Sequence, residues 1–163
     1  MWNQIVKDKF FSSSEELAKQ VTKWNTFNEK VVFTNGCFDI LHMGHIDYLC
    51  AAADLGDRLI IGVNADASVS KLKGPSRPVI KEDTRMMKLA ALAFVDAVIL
   101  FDEETPLELI TKVKPQVLVK GGDYTVATII GADEVLQRNG SVIVIPFLKG
   151  HSTTAIIDRI KET

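Results

Sequence analysis

The 163-residue sequence lacks the features that mark several large protein classes. Its two cysteines, Cys37 and Cys50, lie thirteen positions apart with no C-x-x-C, which excludes a disulfide framework and a zinc ribbon and fits a reducing cytoplasm. The start, Met1-Trp2-Asn3-Gln4, has no basic segment followed by an apolar one, and Asp96 interrupts the most apolar stretch, Leu89 to Phe101. Neither a signal peptide nor a membrane span is therefore expected. Net charge is only −2, so the bulk positive field of a non-specific nucleic-acid binder is missing. Neither G-x-G-x-x-G nor G-x-x-x-x-G-K-[ST] occurs, which disfavours two common nucleotide-binding designs. Internal repeats, low-complexity tracts and linkers are also absent.

What is present is an ordinary globular composition, 47% apolar and 25% charged, in a length that suits one domain over residues 1–163. Charge is uneven. Residues 71–88 hold Lys71, Lys73, Arg77, Lys81, Arg85 and Lys88 against Glu82 and Asp83, so this stretch is +4 and the remainder −6. An anion is expected to dock there. No aromatic residue interleaves these cations, which argues against a nucleic-acid-binding module.

Apolar residues at Leu17, Val21, Trp24 and Phe27 have helical spacing behind candidate caps Ser12, Ser13 and Ser14, and give a leading helical segment within residues 1–28. Strands are then expected at Val31–Thr34, Arg58–Val63, Ala97–Phe101, Gln116–Lys120 and Ser141–Ile145. Helices are expected at Met43–Leu55, Glu82–Phe94, Pro106–Val113, Ala132–Arg138 and Thr153–Lys161, and Asn64 to Lys81 reads as the longest loop. This alternation predicts an α/β, Rossmann-like, doubly wound sheet of five parallel strands with helices on both faces. Ligands of such folds bind at the carboxyl ends of the strands, near the point where strand order reverses.

The first of those ends carries H-x-G-H. Gly44 lets backbone approach a ligand, first-turn amides favour anions, and His42 and His45 at i and i+3 share a helix face. A pair of surface or capping histidines, or two ligands of a zinc site, are the alternatives. The third histidine, His151, falls in Gly150-His151-Ser152-Thr153-Thr154, where the hydroxyls suit either helix capping or phosphate. In a parallel sheet this helix start opens on the same edge as the H-x-G-H helix. Lys120-Gly121-Gly122-Asp123-Tyr124 follows the fourth expected strand; its glycines admit close backbone approach, Asp123 suits a hydroxyl or a metal, and a plain tight turn explains it equally well.

Thr34 to His45, Gly62-Val63-Asn64-x-Asp66, the loop with Arg77-Pro78-Val79 and Arg85, and Gly150 to Thr154 together resemble the H-x-G-H nucleotidyltransferase superfamily. Within it, Phe33 to Asp39, Val119 to Tyr124 and Gly150 to Thr154 look most like the D-glycero-β-D-manno-heptose 1-phosphate adenylyltransferase branch. The glycerol-3-phosphate cytidylyltransferase branch ends instead in a motif like R-T-E-G-I-S-T-T, and its arginine position is Phe147 here. The resemblance implies direct attack of a sugar phosphate on the α-phosphorus of ATP, with Mg2+ carried by the nucleotide and Asp39 approaching it through water.

It also implies His42 and His45 as catalytic groups. Nucleotide and phosphate binding fall to Thr34, Asn35, Gly36, Phe38, Gly44, Lys73, Arg77, Arg85, Gly122, Asp123, His151, Ser152 and Thr153. The expected partners are ATP and a sugar phosphate, with neither nucleic acid nor membrane; a homodimer is compatible with the chain. Elsewhere this domain is fused behind a sugar kinase, so a stand-alone cytoplasmic enzyme with a separate kinase is expected. CTP-dependent transfer to a glycerol-type phosphate, and a non-catalytic nucleotide-binding regulator, remain the alternatives.

Overall fold

Runs rich in β-branched residues form most of the strands, and β2 to β5 end where polar or glycine residues begin. In the computed structural model, which describes residues 1–122 and 124–162, the strands are β1 (Phe10–Phe11), β2 (Val31–Gly36), β3 (Arg58–Asn64), β4 (Ala97–Phe101), β5 (Val117–Gly121) and β6 (Ser141–Ile145). They make one sheet in the order β1-β4-β3-β2-β5-β6, with every pair parallel. Six strands rather than five are thus found among the described residues. The extra one pairs Phe10 and Phe11 with Val98 and Ile99, and is too short to leave a periodic signal.

The helices are α1 (Trp2–Lys7), α2 (Ser14–Thr26), α3 (Met43–Ala53), α4 (Asp66–Lys73), α5 (Glu82–Ala90), α6 (Leu107–Val113), α7 (Ala132–Leu136) and α8 (Thr153–Lys161), with a 3-10 turn at Val126–Thr128. Two corrections to the sequence reading follow. The leading segment contributes a helix and a strand besides α2, and the expected long loop contains α4, whose polar composition hid it. Ser13 caps α2 by accepting from the Glu16 amide.

Alternation along β2 sends Val31 and Phe33 to one face, where they pack with Leu17, Val21 and Trp24 of α2, Leu109, Ile110 and Val113 of α6, and Val135 of α7. Val32 faces the other way, onto Leu49 and Ala52 of α3 and Leu89 and Ala90 of α5. Both faces of the sheet are therefore covered by helices, as a parallel sheet requires.

The chain runs from β2 outward through β3 and β4, then returns to place β5 and β6 on the other side of β2. Strand order reverses between β2 and β5. Their registered pairing ends at Phe33 with Leu118. At the next positions the Tyr48 hydroxyl, from α3, lies 2.5 Å from Thr34 Oγ1 and donates to the Val119 carbonyl at 3.3 Å. A side chain thus replaces strand pairing just where the crevice opens, and burial pushes the Tyr48 phenol up to about 12.

Candidate active site

The mouth of that crevice is built from the end of β2, the start of α3, the end of β5 and the segment leading into α8. His42 is the N-cap residue of α3, yet its side chain makes no capping bond, so the first turn has no side-chain partner. Its ring stacks on His45, with centroids 3.9 Å apart and planes 20° from parallel. Phe38 meets His45 edge-on at 5.4 Å and adopts φ 45°, a left-handed conformation that costs a bulky residue energy and aims its ring under the pair. Burial, reinforced by His42 and Lys73 and opposed by the Ile40 backbone, holds His45 down to about 4. Burial and the nearby His151 lower His42 as well. The shifts favour the neutral form of both rings, in which an imidazole has a single N–H to donate.

A cavity of about 480 Å³ joins the two helix starts that the sequence placed on one edge: His42, Gly44 and His45 of α3 and its cap face His151, Ser152, Thr153 and Thr154, with Lys73, Arg77 and Phe147 completing the wall. Gly44 allows the two segments to cross closely: a Cβ on it would sit 3.2 Å from His151 Cβ and from the His42 ring, so one of those side chains would have to shift by a few tenths of an ångström. Ser152 Oγ accepts from the Ala155 amide at 3.0 Å and caps α8.

A second cavity of about 520 Å³ adjoins it and shares His45, Lys73, Phe147 and Thr153. Its lining includes Asn35, Gly36 and Phe38 from the β2 end and Lys120, Gly121 and Tyr124 around the β5 end. Phe147 lies over bare backbone: a Cβ on Gly121 or Gly122 would meet its ring at 2.5 and 2.8 Å. Gly122 also has φ 111°, a conformation that side chains rarely adopt. Asp123 lies outside the described residues.

Other sequence assignments change in the structure. Thr34 is fully buried with its hydroxyl on Tyr48, and it lines neither cavity. Arg85 is fully buried too. Its guanidinium donates to the carbonyls of Ile80, Cys37 and Asn64 and pairs with Asp66 at 2.8 Å, so it ties the basic loop to the ends of β2 and β3 instead of facing the cavities. Asp39, 2% exposed, accepts from the Val79 and Ile80 amides and pairs with Arg77 Nε at 2.8 Å. Its carboxylate is a clamp on the basic loop, and its oxygens are already engaged.

Two site residues escaped the sequence reading. Lys120 stands beside more conspicuous glycines, although a lysine near the carboxyl end of a strand by the reversal point is itself a signal. Tyr48 looked like one more apolar position of α3; only the diverging strands reveal its hydroxyl's partners.

The chain is 53% identical over 155 residues to the bifunctional protein HldE of Trichlorobacter lovleyi, an alignment covering 95% of this chain and 32% of that protein. It is 48% identical over 162 residues to the bifunctional protein HldE of Magnetococcus marinus, covering 96% and 33%. The chain thus spans about a third of the length of these curated relatives. Among solved structures it is similar to the lipopolysaccharide core biosynthesis protein of Thermoplasma volcanium, with TM-score 0.60 and 29% identity over 76% of this chain and 99% of that one. Pantoate-beta-alanine ligase of Francisella tularensis shares the fold alone, at TM-score 0.64 and 16% identity, covering 94% and 78%. The family model described as cytidylyltransferase-like matches residues 33–159, from within β2 to within α8, and the chain belongs to that family.

Proposed function

We propose that the chain transfers an adenylyl group from ATP to a sugar 1-phosphate, D-glycero-β-D-manno-heptose 1-phosphate, giving ADP-heptose and pyrophosphate. The observation that carries this reading is the convergence of the neutral His42–His45 pair, the uncapped start of α3, the Ser152–Thr153 hydroxyls and the Lys73 and Arg77 cations around one cavity, with a second cavity beside it for an acceptor. The likeness to proteins named HldE and to a lipopolysaccharide core biosynthesis protein supports the acceptor class.

In the proposed step an acceptor phosphate oxygen attacks the α-phosphorus. A new phosphorus–oxygen bond forms as the bond to the β-phosphate bridging oxygen breaks, and its electron pair leaves with pyrophosphate. The attacking phosphate is already ionised, so no general base is needed. Positioning and charge stabilisation carry the rate. Neutral His45 donates to the α-phosphate oxygens, His42 and the α3 amides hold the triphosphate, and Lys73, with Arg77 where its pairing to Asp39 permits, neutralises the departing charge. Magnesium enters with ATP as part of the substrate, on phosphate oxygens and water, which suits a site whose Asp39 oxygens are already engaged. His151 completes the nucleotide site, and the working location is the cytoplasm.

Phe147 favours ATP over CTP, because an aromatic ring over two glycines stands where the cytidylyl branch has a nucleotide-binding arginine. The test is pyrophosphate release with ATP or CTP against a panel of sugar and polyol phosphates. ATP with heptose 1-phosphate is expected to be far faster than CTP with glycerol 3-phosphate. Reversed rates would transfer the reading to the cytidylyl branch, and no release with any pair would make the chain a binder.

A further inference from the structure

Cations are unevenly distributed between the two cavities. Lys73 serves both, Arg77 borders only the cavity of the two helix starts, and Lys120 borders only the larger one. Lys120 is the penultimate residue of β5 beside the crevice, and its Nζ donates to Asn35 Oδ1, near the end of β2, at 3.2 Å. The ammonium therefore bridges the strand ends that Tyr48 holds apart one layer deeper. The Tyr124 ring lies 5.8 Å from Nζ. No carboxylate among the described residues forms an ion pair with Lys120. The larger cavity's other charged lining residues are Lys73, Asp39, which is clamped on the basic loop, and Glu104, which is exposed.

We propose that Lys120 is the anchor for the acceptor's phosphate, oriented by Asn35, and that it holds the attacking oxygen in the larger cavity while the triphosphate occupies the cavity of the two helix starts. This rests on the transferase reading above and adds which group of the acceptor is recognised and by which residue. A half-buried cation whose hydrogen-bond partner among the described residues is a neutral amide is under-compensated, and an anionic ligand is the partner that removes that cost. Burial indeed pulls the Lys120 ammonium below the ordinary lysine range, with Cys37 opposing it. His45 borders both cavities, so an acceptor phosphate on Lys120 and an α-phosphate beside His45 are brought to one place. A phosphate is the acceptor feature this arrangement selects; an unphosphorylated sugar leaves Lys120 without an anion.

The test is steady-state kinetics of Lys120→Met and Lys120→Gln, the latter keeping an N–H donor for Asn35, with thermal midpoints measured in parallel. Removing a charge-assisted phosphate contact is expected to raise KM for the phosphate acceptor by about tenfold to a hundredfold, with KM for ATP changed less than about twofold. Lys120→Arg should recover part of the loss. An unchanged acceptor KM in a folded neutral variant, or a rise confined to the KM for ATP, overturns the proposal while leaving the transferase reading intact. If wild type instead uses another nucleotide or phosphate acceptor, the heptose reading fails, and the acceptor KM of the same variants for that substrate still decides the role of Lys120. Should Lys120→Met not fold, Lys120→Gln and Lys120→Arg give the same decision.

Discussion

The two helices whose starts meet over the phosphate cavity are held in opposite ways. α3 buries Tyr48, Leu49 and Ala52 in the core, and its Tyr48 hydroxyl reaches both Thr34 and Val119, so the His42–His45 pair stands on an element tied to the centre of the sheet. α8 contains no buried residue and follows the edge strand β6, and its start is positioned by the Ser152 cap, the crossing at Gly44 and the Phe147 ring on Gly121 and Gly122. One side of the site is preorganised by packing. The other is joined to it by a few close backbone approaches, and it is the side that ligand contacts have most room to order.

The sharpest way to break this comparison is His45→Ala. Removing a preorganised donor from the rigid side should lower kcat by about 10²–10³, roughly 2.7–4 kcal/mol, with a modest change in ATP affinity. Near-normal turnover, or a loss matched by a fall in thermal midpoint, would show that His45 is structural. Next in size, Tyr48→Phe deletes only the hydroxyl and leaves Thr34 and the Val119 carbonyl without it; denaturant unfolding should register a loss of about 1–3 kcal/mol. An unmoved midpoint would mean that α3 is no better anchored than α8.

Ser152→Ala tests the loose side. Losing an N-cap costs about 1 kcal/mol of local helix stability, so exchange of the Ala155 amide should accelerate about fivefold. The global midpoint should barely respond, because α8 buries no residue. A large midpoint shift would erase the contrast between the two helices. A fourth test is pH dependence. Because His45 is held down to about 4 from its ordinary 6.5, the unfolded chain binds a proton in that interval that the folded chain refuses. This contribution to stability is fully present above about pH 6.5 and is lost as pH falls towards about 4. Thermal midpoints of His45→Asn should show a flatter slope across that window than wild type, and an identical slope would remove His45 as its source.

Much of the site is readable in the chain alone. His42, Gly44 and His45 announce themselves by spacing at a strand-to-helix boundary, and Ser152 and Thr153 by standing at the next helix start on the same sheet edge. The basic stretch was legible as charge but not as roles. Arg77 and Asp39 as loop residues and Arg85 at a helix start give no local sign of their partners, whereas in the fold Asp39 clamps the loop, Arg77 pairs with it at the cavity wall, and Arg85 is buried against three carbonyls and Asp66. Which charges face solvent, ligand or backbone depends on residues tens of positions away, and no local pattern encodes that.

The sequence by itself determined the parallel α/β sheet and its two-sided core, since hydrophobic periodicity, caps and strand-ending glycines act over a few residues and specify every strand and α-helix but α1, β1 and α4. It also determined which helix starts face one edge, because parallel strands place every carboxyl end there. Only the tertiary structure decided where the sheet opens. The split between β2 and β5, Tyr48 within it, Phe147 over the glycines and Lys120 held against Asn35 arise from contacts between residues 14 to 85 positions apart, among them Thr34 with Tyr48 and Asn35 with Lys120. Such contacts exist only after the core has brought the strand ends together, and that is why the chemistry-bearing residues were visible in the chain while their division of labour was not.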